Sequence, residues 1–123
     1  MDLTFGVFVP QGWKMELSTI PDPVAKWQKA VEVAELAEAL GYDSLWVYDH
    51  FHNVPVPAHE TMFECWTTLA AISQRTSRIR LGTSIMQISA RTPTCAATTA
   101  MTLDHISGGR LCLGVGVSGP QVV

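Results

Sequence analysis

Four short apolar runs, each separated from the next by a longer stretch with helical spacing, constrain this chain more than any other feature of its sequence. Residues 3–9 (LTFGVFV) form the first run, closed by Pro10 and Gly12; residues 44–48 (SLWVY), 79–85 (IRLGTSI) and 111–117 (LCLGVGV) form the others. Their length and their β-branched and aromatic content suit strands, and their lack of strict alternation suits strands covered on both faces. Between the first two runs, Asp22 and Pro23 make a helix start: a carboxylate to cap and a proline for the first turn. Val24, Trp27, Val31 and Ala34 then recur at helical spacing, joined by Ala30, Ala37 and Leu40, while Lys26, Lys29, Glu32, Glu35 and Glu38 supply the polar side. Gly41 ends this helix. The spacing predicts a second helix over 61–74, anchored by Met62, Cys65, Trp66, Leu69 and Ile72, and a third from Thr92-Pro93 to Gly108-Gly109.

The order is therefore β-α-β-α-β-α-β, an α/β pattern of parallel strands joined by right-handed crossovers. Two architectures meet it, a doubly wound open sheet and a (β/α)8 TIM barrel. A complete barrel takes roughly 250 residues. This chain has 123 residues and four strands, so it reads as the N-terminal half of a barrel, a single partial domain spanning 1–123. A half-barrel cannot close on itself, because its outer strands keep unpaired edges and its inner face meets water. That implies either a missing C-terminal half or self-association of two copies. The end at Gln121-Val122-Val123, with no charged closing turn, reads as a truncation.

Eight basic and 11 acidic residues give a formal charge of -3, which leaves no electrostatic footprint for nucleic acid or for an anionic membrane surface. No run approaches the roughly 18 apolar residues of a membrane span. Met1-Asp2-Leu3-Thr4 lacks the basic start of a secretory signal, which gives the expectation of a cytoplasmic protein. Cys65, Cys95 and Cys112 are odd in number, form no CxxC pair and lie in apolar surroundings, so buried inert thiols are expected rather than disulfides or zinc.

In both architectures function gathers beyond the C-terminal ends of the strands. Those ends read Pro10-Gln11-Gly12, Asp49-His50-Phe51-His52, Thr83-Ser84-Ile85-Met86-Gln87 and Gly116-Val117-Ser118, rich in polar, titratable and glycine residues. The opposite rim shows ordinary connectors such as Gly41-Tyr42-Asp43 and Arg75-Thr76-Ser77-Arg78. Asp49 beside His50 can fix a proton donor near neutral pH, or can simply cap a loop and fill a wet gap. His50 and His52 form an HxH pair, but nothing clear downstream completes a metal site, and none is predicted. Residues 114–119 spell GxGxxG, yet Pro120 follows and no room remains for the helix or for the acidic ribose ligand about 20 residues on. These glycines are read instead as places where a cofactor ring approaches the backbone. Trp13, Trp27, Trp46 and Trp66 are scattered over different elements and are read as packing residues.

Residues 42–51 (YDSLWVYDHF) resemble the second-strand signature of the luciferase-like monooxygenase superfamily, particularly its deazaflavin-dependent oxidoreductase branch. Residues 76–83 (TSRIRLGT) resemble its third strand, and 103–111 (LDHISGGRL) with 113–116 (LGVG) its approach to the fourth. The resemblance covers essentially the whole chain. It implies a barrel with deazaflavin coenzyme F-420, or alternatively FMN, lying over the C-terminal rim. It implies that Asp49 and His50 line the ring, with His50 near the reacting carbon as acid or base, and that Thr83, Ser84, Ile85, Gly116 and Val117 complete the cofactor contacts. It places a bulge with a non-proline cis peptide at Ser84-Ile85. Val54 stands where some deazaflavin-dependent sugar-phosphate dehydrogenases carry Trp, and Gly119 where they carry Glu, which argues against a sugar-phosphate substrate. The expected function is hydride transfer between a deazaflavin or reduced flavin and a small organic substrate, weak or absent in this chain alone. The alternatives are a non-catalytic self-associating half-barrel and a nucleotide-binding open α/β sheet using residues 114–119.

Overall fold

In the computed structural model, which describes residues 1–117, Asp22 and Pro23 start the first helix as their pairing predicts. The Asp22 carboxylate accepts the Ala25 N–H at 2.9 Å, and α1 runs Pro23–Ala39. Thr92 caps α3 (Pro93–Ile106) in the same way, accepting the Cys95 N–H at 3.3 Å. The second helix, α2, is shorter than its apolar pattern: Cys65–Ser73, not 61–74. Gln11 explains the difference. Its carbonyl accepts the Phe63 N–H at 2.9 Å and its side-chain amide donates to the Phe63 carbonyl at 3.1 Å, holding the approach extended until Glu64 caps the helix.

The strands are β1 (Gly6–Phe8), β2 (Ser44–Val47), β3 (Arg80–Thr83), β4 (Met86–Gln87), β5 (Leu111–Cys112) and β6 (Val115–Gly116). The main sheet has the order β1-β2-β3-β5, parallel throughout, and β4 pairs with β6 in parallel. A doubly wound sheet reverses its order at a switch point and carries helices on both faces. Here the order follows the chain. Ala30, Ala34, Leu69, Ile72, Ala100 and Leu103 from all three helices share one core with Val9, Leu45, Val47 and Leu81. One-way winding under a single helical layer is the barrel pattern, and the open-sheet alternative falls on it.

The third and fourth runs are each broken, where the sequence predicts unbroken strands over 79–85 and 111–117. Pairing stops after Gly82↔Cys112 and resumes at Met86↔Val115. Four steps separate the first members and three the second, so the third strand carries one extra residue, a β-bulge. On the face opposite the helices, Trp46 lies across Gly82, where an added Cβ would meet the indole at 2.2 Å. Phe8 shares that face and is half-exposed.

Two readings of buried and exposed residues need correction. Lys26 is buried and ion-paired with Glu60, whereas Val24 and Leu40 stand out to solvent. The small side chains of Ala30, Ala34 and Ala37 set the packed face of α1, and that face reaches Lys26 rather than Val24. Cys65 is buried, but Cys95 is exposed and Cys112 half-buried, its sulfur 2.9 Å from Arg80 Nε.

The rim at the strands' N-terminal ends is held by two charged side chains. Arg110 donates to the carbonyls of Ser73, Thr76 and Ile79 at 2.7, 3.1 and 3.0 Å, tying the end of α2 to the entry of β3. The Glu38 carboxylate accepts the N–H groups of Ser77, Arg78 and Ile79 at 3.0, 2.7 and 2.8 Å. Burial acts to raise its pKa, but the bonds from Ile79, Arg78 and Ser77 outweigh it and hold the group below its ordinary 4.5. Because the folded value lies below the unfolded one, this stabilisation is present above pH 4.5 and is lost as pH falls through the folded value. Glu38→Gln is expected to lower stability by about 1–2 kcal/mol at pH 7, at the small end because the group is partly solvated. Urea unfolding across the acid range checks this, since the variant loses part of the wild-type dependence on pH.

Candidate functional site

Asp49 follows the last residues of β2 and is 1% exposed. A carboxylate so far from water needs donors, and it has them. The Gln87 N–H reaches Oδ2 at 2.9 Å, and the Arg91 guanidinium grips both oxygens, Nη2 to Oδ1 at 2.8 Å. The Gln87 side-chain amide also donates to the Asp49 carbonyl. Arg91 continues to Glu64 at 3.1 Å, and Glu64 is the cap of α2, accepting from Trp66 and Thr67. The structure thus brings Asp49 to the expected rim, but both oxygens are engaged from behind by β4 and Arg91. Asp49 joins β2, the bulged third strand and two helix starts.

His50 is half-buried and lies face to face with Trp13, the ring centroids 4.0 Å apart and the planes 5° from parallel. Trp13 in turn leans on Tyr48 at 4.3 Å, and Tyr48 stacks on Phe8 at 4.4 Å. Lys14 places its ammonium 5.1 Å from the Trp13 ring. Burial lowers the His50 pKa; Asp49 opposes that shift and His52 adds to it. The net effect favours the neutral imidazole.

The first loop holds Trp13 in place through its backbone. One carboxylate, Glu16, accepts the N–H groups of Gln11, Gly12 and Lys14 at 2.9, 2.9 and 2.8 Å. Asn53 donates to the Gly12 carbonyl at 3.0 Å, and Val54 to the Trp13 carbonyl at 2.9 Å. Gln11 clasps Tyr48 on both sides, at 2.9 and 2.6 Å, so the tips of β1 and β2 are tied together.

The third tip carries a cis peptide at Ser84-Ile85, the position given by the family resemblance. Ile85 projects from it, 41% exposed. A Cβ on Gly116 would sit 1.8 Å from Ile85 Cδ1, and one on Gly114 would sit 2.2 Å from the Thr83 carbonyl oxygen. These glycines therefore admit the bulge of the neighbouring strand, which accounts for their spacing without a phosphate. Thr83 is buried, its hydroxyl bound to both the carbonyl and the N–H of Gly114 at 2.8 and 3.0 Å, so it anchors the bulge from beneath. Val117 is exposed at the same rim. Ser118 and Gly119, the remainder of GxGxxG, lie outside the described residues.

Among the described residues no three His, Cys, Asp or Glu side chains gather as a metal site, and no helix is long and apolar enough to cross a membrane. His52 bonds through Nδ1 to the Asn53 carbonyl at 3.2 Å. Sequence reasoning missed Arg91, Gln87 as a partner of Asp49, Glu64 as a cap, and the place of Trp13. Glu64 stood just before an apolar stretch, as caps do, and Trp13 stood within the first rim segment; Arg91 offered no local signal.

The chain matches the profile of the luciferase-like monooxygenase family over residues 3–123. It is 45% identical over 96 residues to a protein of Mycobacterium tuberculosis named as a coenzyme F-420-dependent oxidoreductase, covering 78% of this chain and 25% of that one. It is 34% identical to the 5,10-methylenetetrahydromethanopterin reductase of Methanolobus tindarius, covering 93% of this chain and 28% of the relative. Among solved structures, the monooxygenase RslO1 from Streptomyces bottropensis superposes with a TM-score of 0.77 at 27% identity, covering 95% of this chain and 34% of that one. An F-420-dependent secondary alcohol dehydrogenase, solved with an F-420-acetone adduct, gives 0.73 at 27% identity over 94% of this chain and 32% of its own. The chain thus spans about a quarter to a third of the length of these relatives.

Removing Arg91 leaves the Asp49 carboxylate buried without its main partner. Arg91→Met is expected to lower stability by about 3–5 kcal/mol, and Asp49→Asn in the same chain to restore part of the loss. A double-mutant cycle in urea measures the coupling.

Proposed function

The chain belongs to the luciferase-like monooxygenase family, and on that footing we propose that it forms the N-terminal part of an oxidoreductase. The enzyme transfers a hydride between deazaflavin coenzyme F-420, with reduced FMN as the alternative, and a small organic substrate. The observation that carries this reading is the meeting of two features at one rim. His50 follows β2, and the Ser84-Ile85 bulge follows the adjacent β3, the Ser84 N–H donating to the Val47 carbonyl at 2.8 Å. The F-420-linked names of similar proteins support the choice of cofactor.

The residues present suit a flat ring. Ile85 offers an exposed apolar surface, with Gly116 packed against it and Val117 exposed at the same rim. Ser84, Ile85, Gly116 and Val117 would hold the ring, with Thr83 fixing the bulge and Asp49 fixing the strand tips behind it. When bound, the deazaflavin or reduced flavin supplies the hydride chemistry, and the protein positions and shields it. His50, kept neutral by burial, accepts the proton that a substrate hydroxyl releases on oxidation and returns it in the reverse direction. The open inner face of the sheet is completed by further βα units, in keeping with the length of the relatives.

Fluorescence titration with F-420 and with FMN, followed by turnover assays, tests the reading. His50→Ala is expected to keep cofactor affinity and to lower kcat by about 10²–10⁴-fold. The acid limb of the wild-type rate profile is expected below the ordinary imidazole value of 6.5, because the His50 pKa is lowered. Ile85→Glu is expected to abolish cofactor binding. Unchanged affinity and turnover in both Asp49→Ala and His50→Ala would remove the site.

A further inference from the structure

The histidine at the tip of β2 does not stand alone at the rim; an indole from the preceding loop lies parallel to it at 4.0 Å. The Trp13 Nε1 is buried and has no hydrogen-bond partner among the described residues, so no polar contact of its own sets the ring. Its place is set by the faces it touches, His50 on one hand and Tyr48 on the other, and by a backbone pinned through Glu16, Asn53 and Val54. We propose that Trp13 is a positioning residue for His50: it fixes the imidazole plane and walls off one face from water, so that the ring presents a set edge to the mouth. The proposal rests on the reading of His50 as the group that takes the substrate proton.

The charged and titratable groups around the imidazole agree with this arrangement. From its own segment, Asp49 favours the charged ring and His52 disfavours it, but burial is the largest influence and acts against charge. Asp49 is itself gripped by Arg91, which directs its carboxylate to a different partner. From the first loop, Lys14 sets a positive charge against the same indole, 5.1 Å from its centroid, and just after β2 Tyr48 adds a tilted ring whose centroid is 6.2 Å from that of the imidazole. Trp13 is the group that covers a whole face of the ring. An aromatic wall stacked in parallel excludes water from that face while leaving the ring nitrogens at its edge.

Proton NMR on the full chain tests this without cofactor or substrate. The chain has four histidines, and the loss of one set of signals in His50→Ala assigns those of His50. In the wild type the His50 ring protons are expected upfield of the other three sets through the indole ring current. In Trp13→Ala that displacement disappears and the His50 signals move to those of a freely turning imidazole, whereas Trp13→Phe keeps most of the displacement. A wild-type His50 without upfield displacement, displacement retained in Trp13→Ala, or an equal loss in Trp13→Phe and Trp13→Ala would each overturn the proposal. The wild-type spectrum and Trp13→Phe decide the matter even where Trp13→Ala fails to fold. Failure of cofactor binding would leave these signals as expected, so this idea and the enzymatic reading fail separately.

Discussion

Parallel strands cannot be joined by a tight turn; each must be carried back to the starting edge by a crossover of a dozen or more residues. In this chain α1, α2 and α3 are those crossovers, and all three pack on one face of β1-β2-β3-β5. Every strand therefore ends at the same rim. His50, the Ser84-Ile85 bulge and Gly116 are separated by tens of residues along the chain, yet register alone makes them neighbours. No long-range side-chain interaction is needed to bring them together. Such interactions are needed to hold them still.

The two rims use charge differently. At the N-terminal rim, Glu38 and Arg110 satisfy backbone groups that the turns leave unpaired, and their effect is local stapling. At the C-terminal rim, Asp49, Arg91 and Glu64 form a chain that runs from a strand tip to a helix cap, mostly out of water. Burying a carboxylate is favourable only when its donors are complete, so the network tolerates little displacement. Its rigidity extends to β4 through Gln87, which ties the far side of the bulge to the end of β2.

The fold was legible because helix starts and apolar runs are local signals. Asp22-Pro23 and Thr92-Pro93 begin α1 and α3 where those pairs stand. The start of α2 was not legible, since it depends on Gln11 binding Phe63 across 52 positions of sequence. The breaks in the third and fourth strands escaped hydropathy for a related reason: Ile85 is apolar and fits a strand pattern, but its backbone turns at a cis bond that no periodicity records. At the site, His50 stands out in the sequence because it follows a strand, whereas the cis bond at Ser84-Ile85 is implied by the family resemblance alone. Arg91 was invisible, because its meaning lies in a partner 42 residues away. In the sequence Trp13 reads as packing, which it is, but what it packs against is the imidazole.

The carboxylate of Glu16 has a consequence for how any ligand arrives. Successive backbone N–H groups turned toward one point make an anion-seeking hollow, and in many loops such a hollow waits for a phosphate. Here the chain fills the hollow with its own side chain. The loop beneath Trp13 is shaped before anything binds, so an incoming molecule need not order it and loses no affinity to that task. The N–H groups of that hollow are therefore closed to an incoming anion.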